Sequence, residues 1–174
     1  MENQSWVLLI YRLPREPSRH RVAVWRKLKD LGALYLQDGV VALPEDAVTR
    51  EQLEWLQVRV REAGGEASLW EGRPIMQAEC KELAQTFRSS REEAYQAIIE
   101  GAERVRRKAE LGGGETLLAE LGKLERAFRA ERRRDYFRVP LRTEASEALK
   151  AARQAVREGQ SPAAAERLGT GSGN

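Results

Sequence analysis

The dipeptide Asp38-Gly39 constrains this chain more than any other feature. It lies between two alternating apolar runs, ALYLQ and VVALP. An Asp-Gly pair in that setting marks a tight β-hairpin, because the turn that suits twisted strands needs positive φ at its centre. Two antiparallel strands cannot stand alone in water, so the flanking segments must supply further strands and a covering layer. Upstream, the continuous apolar run Trp6–Leu13 reads as a central strand buried on both faces. Between that run and the hairpin, residues 18–31 carry Val22, Trp25, Leu28 and Leu31 at threefold spacing. This predicts an amphipathic helix with Arg21, Arg26, Lys27 and Lys29 on its other sides; Trp25 reads as a core residue, with an aromatic contact to a partner as the alternative. Ser18 is the expected N-cap and Gly32 the left-handed terminator.

Downstream, Thr49-Arg-Glu-Gln matches a capping box and opens a second helix bearing Leu53, Leu56 and Val60, with Trp55 alongside. Glu45-Asp46 just before it reads as turn and N-terminal charge. Ala63-Gly64-Gly65 closes the helix, and Glu66–Trp70 alternates as a fourth strand. The resulting order, β-α-β-β-α-β over residues 1–75, predicts an α+β, ferredoxin-like domain with both helices on one face of the sheet.

From Ile75 the apolar period changes to about 3.6. Leu83, Phe87, Ala94, Tyr95, Ile98, Ala102 and Val105 keep one stripe through residues 77–110, and Ser90-Arg-Glu-Glu leaves open whether one helix or two cover it. Gly112–Gly114 marks a break. Leu117, Leu121, Leu124 and Phe128 follow as a bundle or coiled-coil seam able to serve a homodimer. After Pro140, Ala145, Leu149, Ala152 and Val156 predict a last helix. The expected organisation is a ferredoxin-like domain (1–75), a helical hairpin or bundle (76–158) and a disordered tail (159–174).

Several function classes are excluded or disfavoured. No apolar run approaches the roughly 20 residues of a membrane span. With 33% charged residues, a mean hydropathy of −0.60 and no leader-like segment, the chain reads as cytoplasmic. Cys80 is the single cysteine, which rules out an internal disulfide, and one His with one Cys disfavours a zinc or iron centre. Cys80 is expected to be a small buried hydrophobe, since Glu79 and Glu82 oppose thiolate formation. Neither a nucleophile–base pair nor a phosphate loop is visible, so no enzyme activity and no cofactor are expected.

The charge is unevenly placed. From Arg12 to Lys29 seven Lys/Arg stand against Glu16, and from Arg126 to Arg142 seven Arg stand against Glu131 and Asp135. Local basic patches on a near-neutral chain point to an anionic partner. The first candidate site is Arg12, Arg15, Arg19, His20 and Arg21 around the first helix N-terminus, where free N–H groups and guanidinium forks suit a tetrahedral oxyanion. The second is Arg129, Arg132, Arg133, Arg134 and Arg138, expected to meet DNA phosphates.

The pattern Trp6-x-Leu-Leu, Leu13-Pro14, Ser18-x-x-Arg21-x-x-x-Trp25-Arg26-x-Leu28, Leu31-Gly32-Ala33, Asp38-Gly39-Val40 and Leu43-Pro44 resembles the N-terminal region of ChrB-type chromate-resistance proteins. The likeness continues through Ala63-Gly64-Gly65, Glu71-Gly72-Arg73, Phe87-Arg88-Ser89 and Tyr95 to Asp135-Tyr136-Phe137, about three quarters of the chain. It implies a chromate-responsive transcriptional regulator with chromate as the oxyanion and DNA as the partner; longer members carry a further C-terminal domain. The first 75 residues are also similar to the module of PaaX-type repressors and of CRISPR-adaptation nucleases. Those nucleases place an acidic metal ligand at the end of the first strand, where this chain has Tyr11-Arg12-Leu13. The metal-dependent nuclease alternative therefore lacks its ligand, and no metal is expected.

Overall fold

The computed structural model describes residues 4–112 and 116–159. Of the expected tail, Gly159 belongs to the last helix; residues 160–174 and Gly113-Gly114 of the glycine break lie outside the described residues. Nine elements follow in chain order: β1 (Trp6–Arg12), α1 (Ser18–Leu31), β2 (Leu34–Gln37), β3 (Val40–Pro44), α2 (Ala47–Glu62), β4 (Glu66–Gly72), α3 (Gln77–Glu110), α4 (Thr116–Arg134) and α5 (Leu141–Gly159). The chain divides into two compact units, Met1–Phe87 and Arg88–Asn174.

The first unit is built on a four-stranded antiparallel sheet in the order β2-β3-β1-β4. Its tightest joint is the Asp38-Gly39 turn. Gly39 has φ +74°, and a Cβ there would lie 2.3 Å from the Tyr11 carbonyl oxygen. The Tyr11 N–H donates to the Gly39 carbonyl at 2.7 Å, which ties the turn to the end of β1. Only glycine combines that left-handed backbone with so close an approach.

The core lies between the helices and one sheet face. Val7 and Leu9 of β1, Val41 and Leu43 of β3, Val24 and Leu28 of α1, and Leu53, Leu56 and Val60 of α2 are buried there. β1 is central in the sheet but is not buried on both faces. Leu8 is half-buried and Ile10 is 41% exposed, because α1 and α2 cover only one side of the row. Trp6 is the exception on the opposite face, shielded by Phe87 of α3 with ring centroids 5.1 Å apart.

The face chosen by α1 also differs from expectation. Val22 and Trp25 are exposed, while Val24 and Leu28 are buried. At about 100° per residue, five apolar positions in one short helix define two overlapping stripes. The sheet accommodates the one through Val24 and Leu28, which leaves Trp25 on the flank. Trp55 of α2 is exposed as well.

The helix ends refine the capping readings. Pro17, not Ser18, occupies the N-cap position of α1, without a side-chain cap. Gly32 closes α1 in the left-handed conformation at φ 69°. The α2 cap is Asp46, with Thr49 at N3 completing a reciprocal box: Asp46 accepts from the Thr49 N–H at 2.8 Å and the Thr49 hydroxyl accepts from the Asp46 N–H at 3.0 Å. Thr49 is thus inside the helix rather than at its cap, and its buried hydroxyl donates to the Pro44 carbonyl at 2.6 Å.

In the second unit, Tyr95, Ile98, Ala102, Val105 and Ala109 of α3 pack with Leu117 and Leu121 of α4 and with Ala145, Leu149, Ala152 and Val156 of α5. α3 is continuous across Ser89-Ser90. The Leu117–Phe128 seam is used inside this core, with Leu124 and Phe128 partly buried against it. The same core encloses Asp135, which is 5% exposed. Its carboxylate accepts from the Tyr95 hydroxyl at 3.2 Å and from the Val139 N–H at 3.1 Å. Arg138 between them takes φ 52°, a left-handed turn that a non-glycine residue adopts only under constraint.

Candidate functional site

The five residues expected to form one oxyanion site are divided by the fold. The N-terminus of α1 is not open to an external anion in the expected way, because the Ser18 N–H donates to the chain's own Glu16 carboxylate at 3.2 Å. Arg12 pairs with Glu66 across the β1–β4 ladder at 3.2 Å, with both side chains nearly four-fifths exposed. Such an exposed pair is worth about 0–1 kcal/mol and opens readily. His20 is half-buried and faces a cleft of about 240 Å³ between α1 and α2, beside Val24, Leu56, Arg59 and Glu62. His20 is therefore separated from its expected partners. Arg15, Arg19 and Arg21 are exposed and have no ion-pair partner among the described residues.

Arg12 and Arg21 both line a groove of about 460 Å³ between the start of α1 and the β2–β3 turn. Tyr11, Trp25, Tyr35 and Asp38 line the rest of its polar and aromatic wall. Alternation along β1 and β2 sends Tyr11 and Tyr35 to the helix side of the sheet, where their hydroxyls lie 3.5 Å apart. Burial, reinforced by that neighbouring hydroxyl, holds the Tyr11 phenol protonated well above the ordinary tyrosine range. Trp25 is 48% exposed, and the Lys29 ammonium stands 5.0 Å from its ring centroid. Arg21, Trp25 and Lys29 thus form a cation–aromatic–cation ladder along one exposed edge of α1. The apolar-stripe reading missed Trp25 and both tyrosines as site residues. The signal that could have found Trp25 is the i, i+4, i+8 spacing of Arg21, Trp25 and Lys29, which puts all three on one helix edge.

The arginines of α4 are also unequal. Arg134 belongs to a half-buried network: it bonds one Glu131 oxygen at 3.2 Å while Arg91 bonds the other at 2.6 Å. Its guanidinium is thus engaged by Glu131, whose other oxygen Arg91 holds. Arg129, Arg132, Arg133 and Arg138 are exposed. The Arg132 guanidinium lies 6.0 Å from the Phe128 ring centroid. Cys80 is half-buried rather than enclosed, with its thiol donating to the Pro74 carbonyl at 3.3 Å. Among the described residues no group of three His, Cys, Asp or Glu side chains converges as metal ligands. Among the same residues no helix is long and apolar enough to cross a membrane.

A family model described as Protein ChrB, N-terminal, matches residues 21–161. The chain belongs to this ChrB N-terminal family. It is thereby a chromate-resistance-related protein, of a type that is not a known enzyme family. The matched region includes Arg21, Trp25, Tyr35, Asp38 and Gly39 of the groove and the whole α4 arginine cluster. Arg12, Arg15, Arg19 and His20 precede it. No curated protein and no solved structure matches the chain.

Proposed function

We propose that this ChrB-family chain is a cytoplasmic, chromate-responsive transcriptional regulator that acts by binding rather than by catalysis. Its first unit is a ferredoxin-like domain, a reading supported by the element order and by the antiparallel pairing of β1 with both β3 and β4. The arginines around the start of α1 take the oxyanion, and the exposed arginines of α4 and the following turn hold DNA phosphates. The observation that carries this reading is that Arg15, Arg19 and Arg21 are exposed without an ion-pair partner among the described residues. Guanidinium groups so placed are available for bidentate bonds to a tetrahedral dianion. Arg129, Arg132, Arg133 and Arg138 supply the sequence-independent electrostatic share of DNA affinity.

The test is a gel-shift titration on the DNA upstream of the chain's own operon, at two salt concentrations, with chromate and with sulfate as control. The expected result is a complex that weakens steeply with salt and is released by chromate but not by sulfate. Charge reversal at Arg15 and Arg19 is expected to remove the chromate response and leave DNA binding. A complex indifferent to salt, or no complex at all, refutes the regulator reading.

A further inference from the structure

The groove beside α1 holds more than a bare oxyanion needs. A tetrahedral dianion is satisfied by guanidinium groups and hydroxyl donors and gains nothing from an exposed indole. Here an unpaired guanidinium, Arg21, stands one helical turn from Trp25, and Lys29 follows a turn later. Tyr35, 41% exposed, faces the same space, and Asp38 adds a carboxylate at the turn. The groove's volume, about 460 Å³, falls in the range of roughly 300–1,000 Å³ of small-ligand sites.

We infer that this groove binds a nucleoside phosphate: the phosphate on Arg21, and the base stacked on the aromatic wall of Trp25 and Tyr35. Each part of the wall has a matching part in such a ligand. Aromatic side chains accept any base through its π-face, so stacking gives affinity without sequence preference. Arg21 fixes the phosphate, and Asp38 can accept from an exocyclic amino group. Arg12 adds a second cation when its exposed pair with Glu66 opens. The same chemistry comes from two sources, a free mononucleotide or one residue of a single-stranded nucleic acid. The inference shares Arg21 with the proposed oxyanion site but does not depend on chromate sensing.

The test uses the full chain in calorimetric titrations with AMP, with a ten-residue oligodeoxyadenylate and with inorganic phosphate. AMP or the oligonucleotide is expected to bind at least about ten-fold more tightly than phosphate. Whichever of the two binds names the source. Trp25→Ala is expected to weaken that ligand by at least about five-fold with an unchanged salt slope. Arg21→Ala is expected to weaken it and, where the oligonucleotide is the ligand, to lower the slope of log K against log salt by about 0.7. Both side chains are exposed, so each variant should keep the parent's circular dichroism and melting transition. Phosphate binding as tightly as AMP, or Trp25→Ala leaving the nucleotide affinity intact, overturns the inference. If chromate still releases DNA in the gel shift while no nucleotide binds, this inference fails and the regulator reading stands.

Discussion

Asp135→Ala is the sharpest test of how the second unit is held together. The substitution strands two buried donors at once, the Tyr95 hydroxyl and the Val139 N–H, on residues that are 0% and 3% exposed. Each donor left without its acceptor costs about 1–3 kcal/mol, so the expected loss is about 2–6 kcal/mol. For a unit of this size 1 kcal/mol lowers the midpoint by about 4–8 °C, which puts the fall at roughly 8–48 °C. Tyr95→Phe removes one donor and is expected to cost about 0.5–1.5 kcal/mol by itself. In the double variant only Val139 is stranded, so the two changes should be sub-additive by about 1–2 kcal/mol. Urea unfolding followed by far-UV circular dichroism measures all four corners of the cycle. Tryptophan fluorescence serves as the internal reference, because Trp6, Trp25, Trp55 and Trp70 all lie in the first unit. A loss below about 1 kcal/mol for Asp135→Ala, or strict additivity with Tyr95→Phe, would refute the claim that these bonds anchor the α4–α5 connection.

Further outcomes follow from single residues. Asp46→Ala removes the α2 cap and half of its reciprocal box, and should cost about 0.5–2 kcal/mol in urea unfolding. Gly39→Ala meets both a positive φ and the Tyr11 carbonyl; a loss of at least about 1–3 kcal/mol is expected, and a neutral result would mean the turn relaxes freely. Burial raises the pKa of Tyr11 and Tyr95 in the folded chain above the unfolded value near 10. Both states stay protonated below that value; above it only the unfolded chain releases these protons, so stability should fall as pH climbs, and Tyr95→Phe should flatten the fall in melting temperature. Reversing the charge of Arg129, Arg132, Arg133 or Arg138 should lower the salt slope of DNA binding by about 0.9 per contacted phosphate. Arg134→Ala should instead lower the melting temperature, because it leaves Glu131 short of a partner.

The sequence alone determined the elements whose signals are local. The Asp38-Gly39 hairpin, the Gly32 terminator and the Ala145–Val156 stripe are each specified by residues within a few positions of one another. Backbone sterics and helical period leave little choice there. The α4 stripe was legible for the same reason, and the break at Gly112–Gly114 pointed to α3 as its hairpin partner. What only the tertiary structure decided is everything that depends on which of two permitted faces is covered. α1 carries apolar side chains around more than one stripe, and the sheet selected Val24 and Leu28, leaving Trp25 to the groove. The same selection turned Tyr11 and Tyr35 toward that groove and His20 toward the α1–α2 cleft. Charge behaved likewise. Five arginines near the end of α4 look equivalent in sequence, yet Glu131 draws Arg134 into a half-buried pair and leaves the others exposed. Nothing in the residues around Asp135 announces its role, because its partner Tyr95 lies 40 residues away. Helix and turn signals are written within a few residues, whereas a binding groove or a buried carboxylate exists only once distant segments have been brought together.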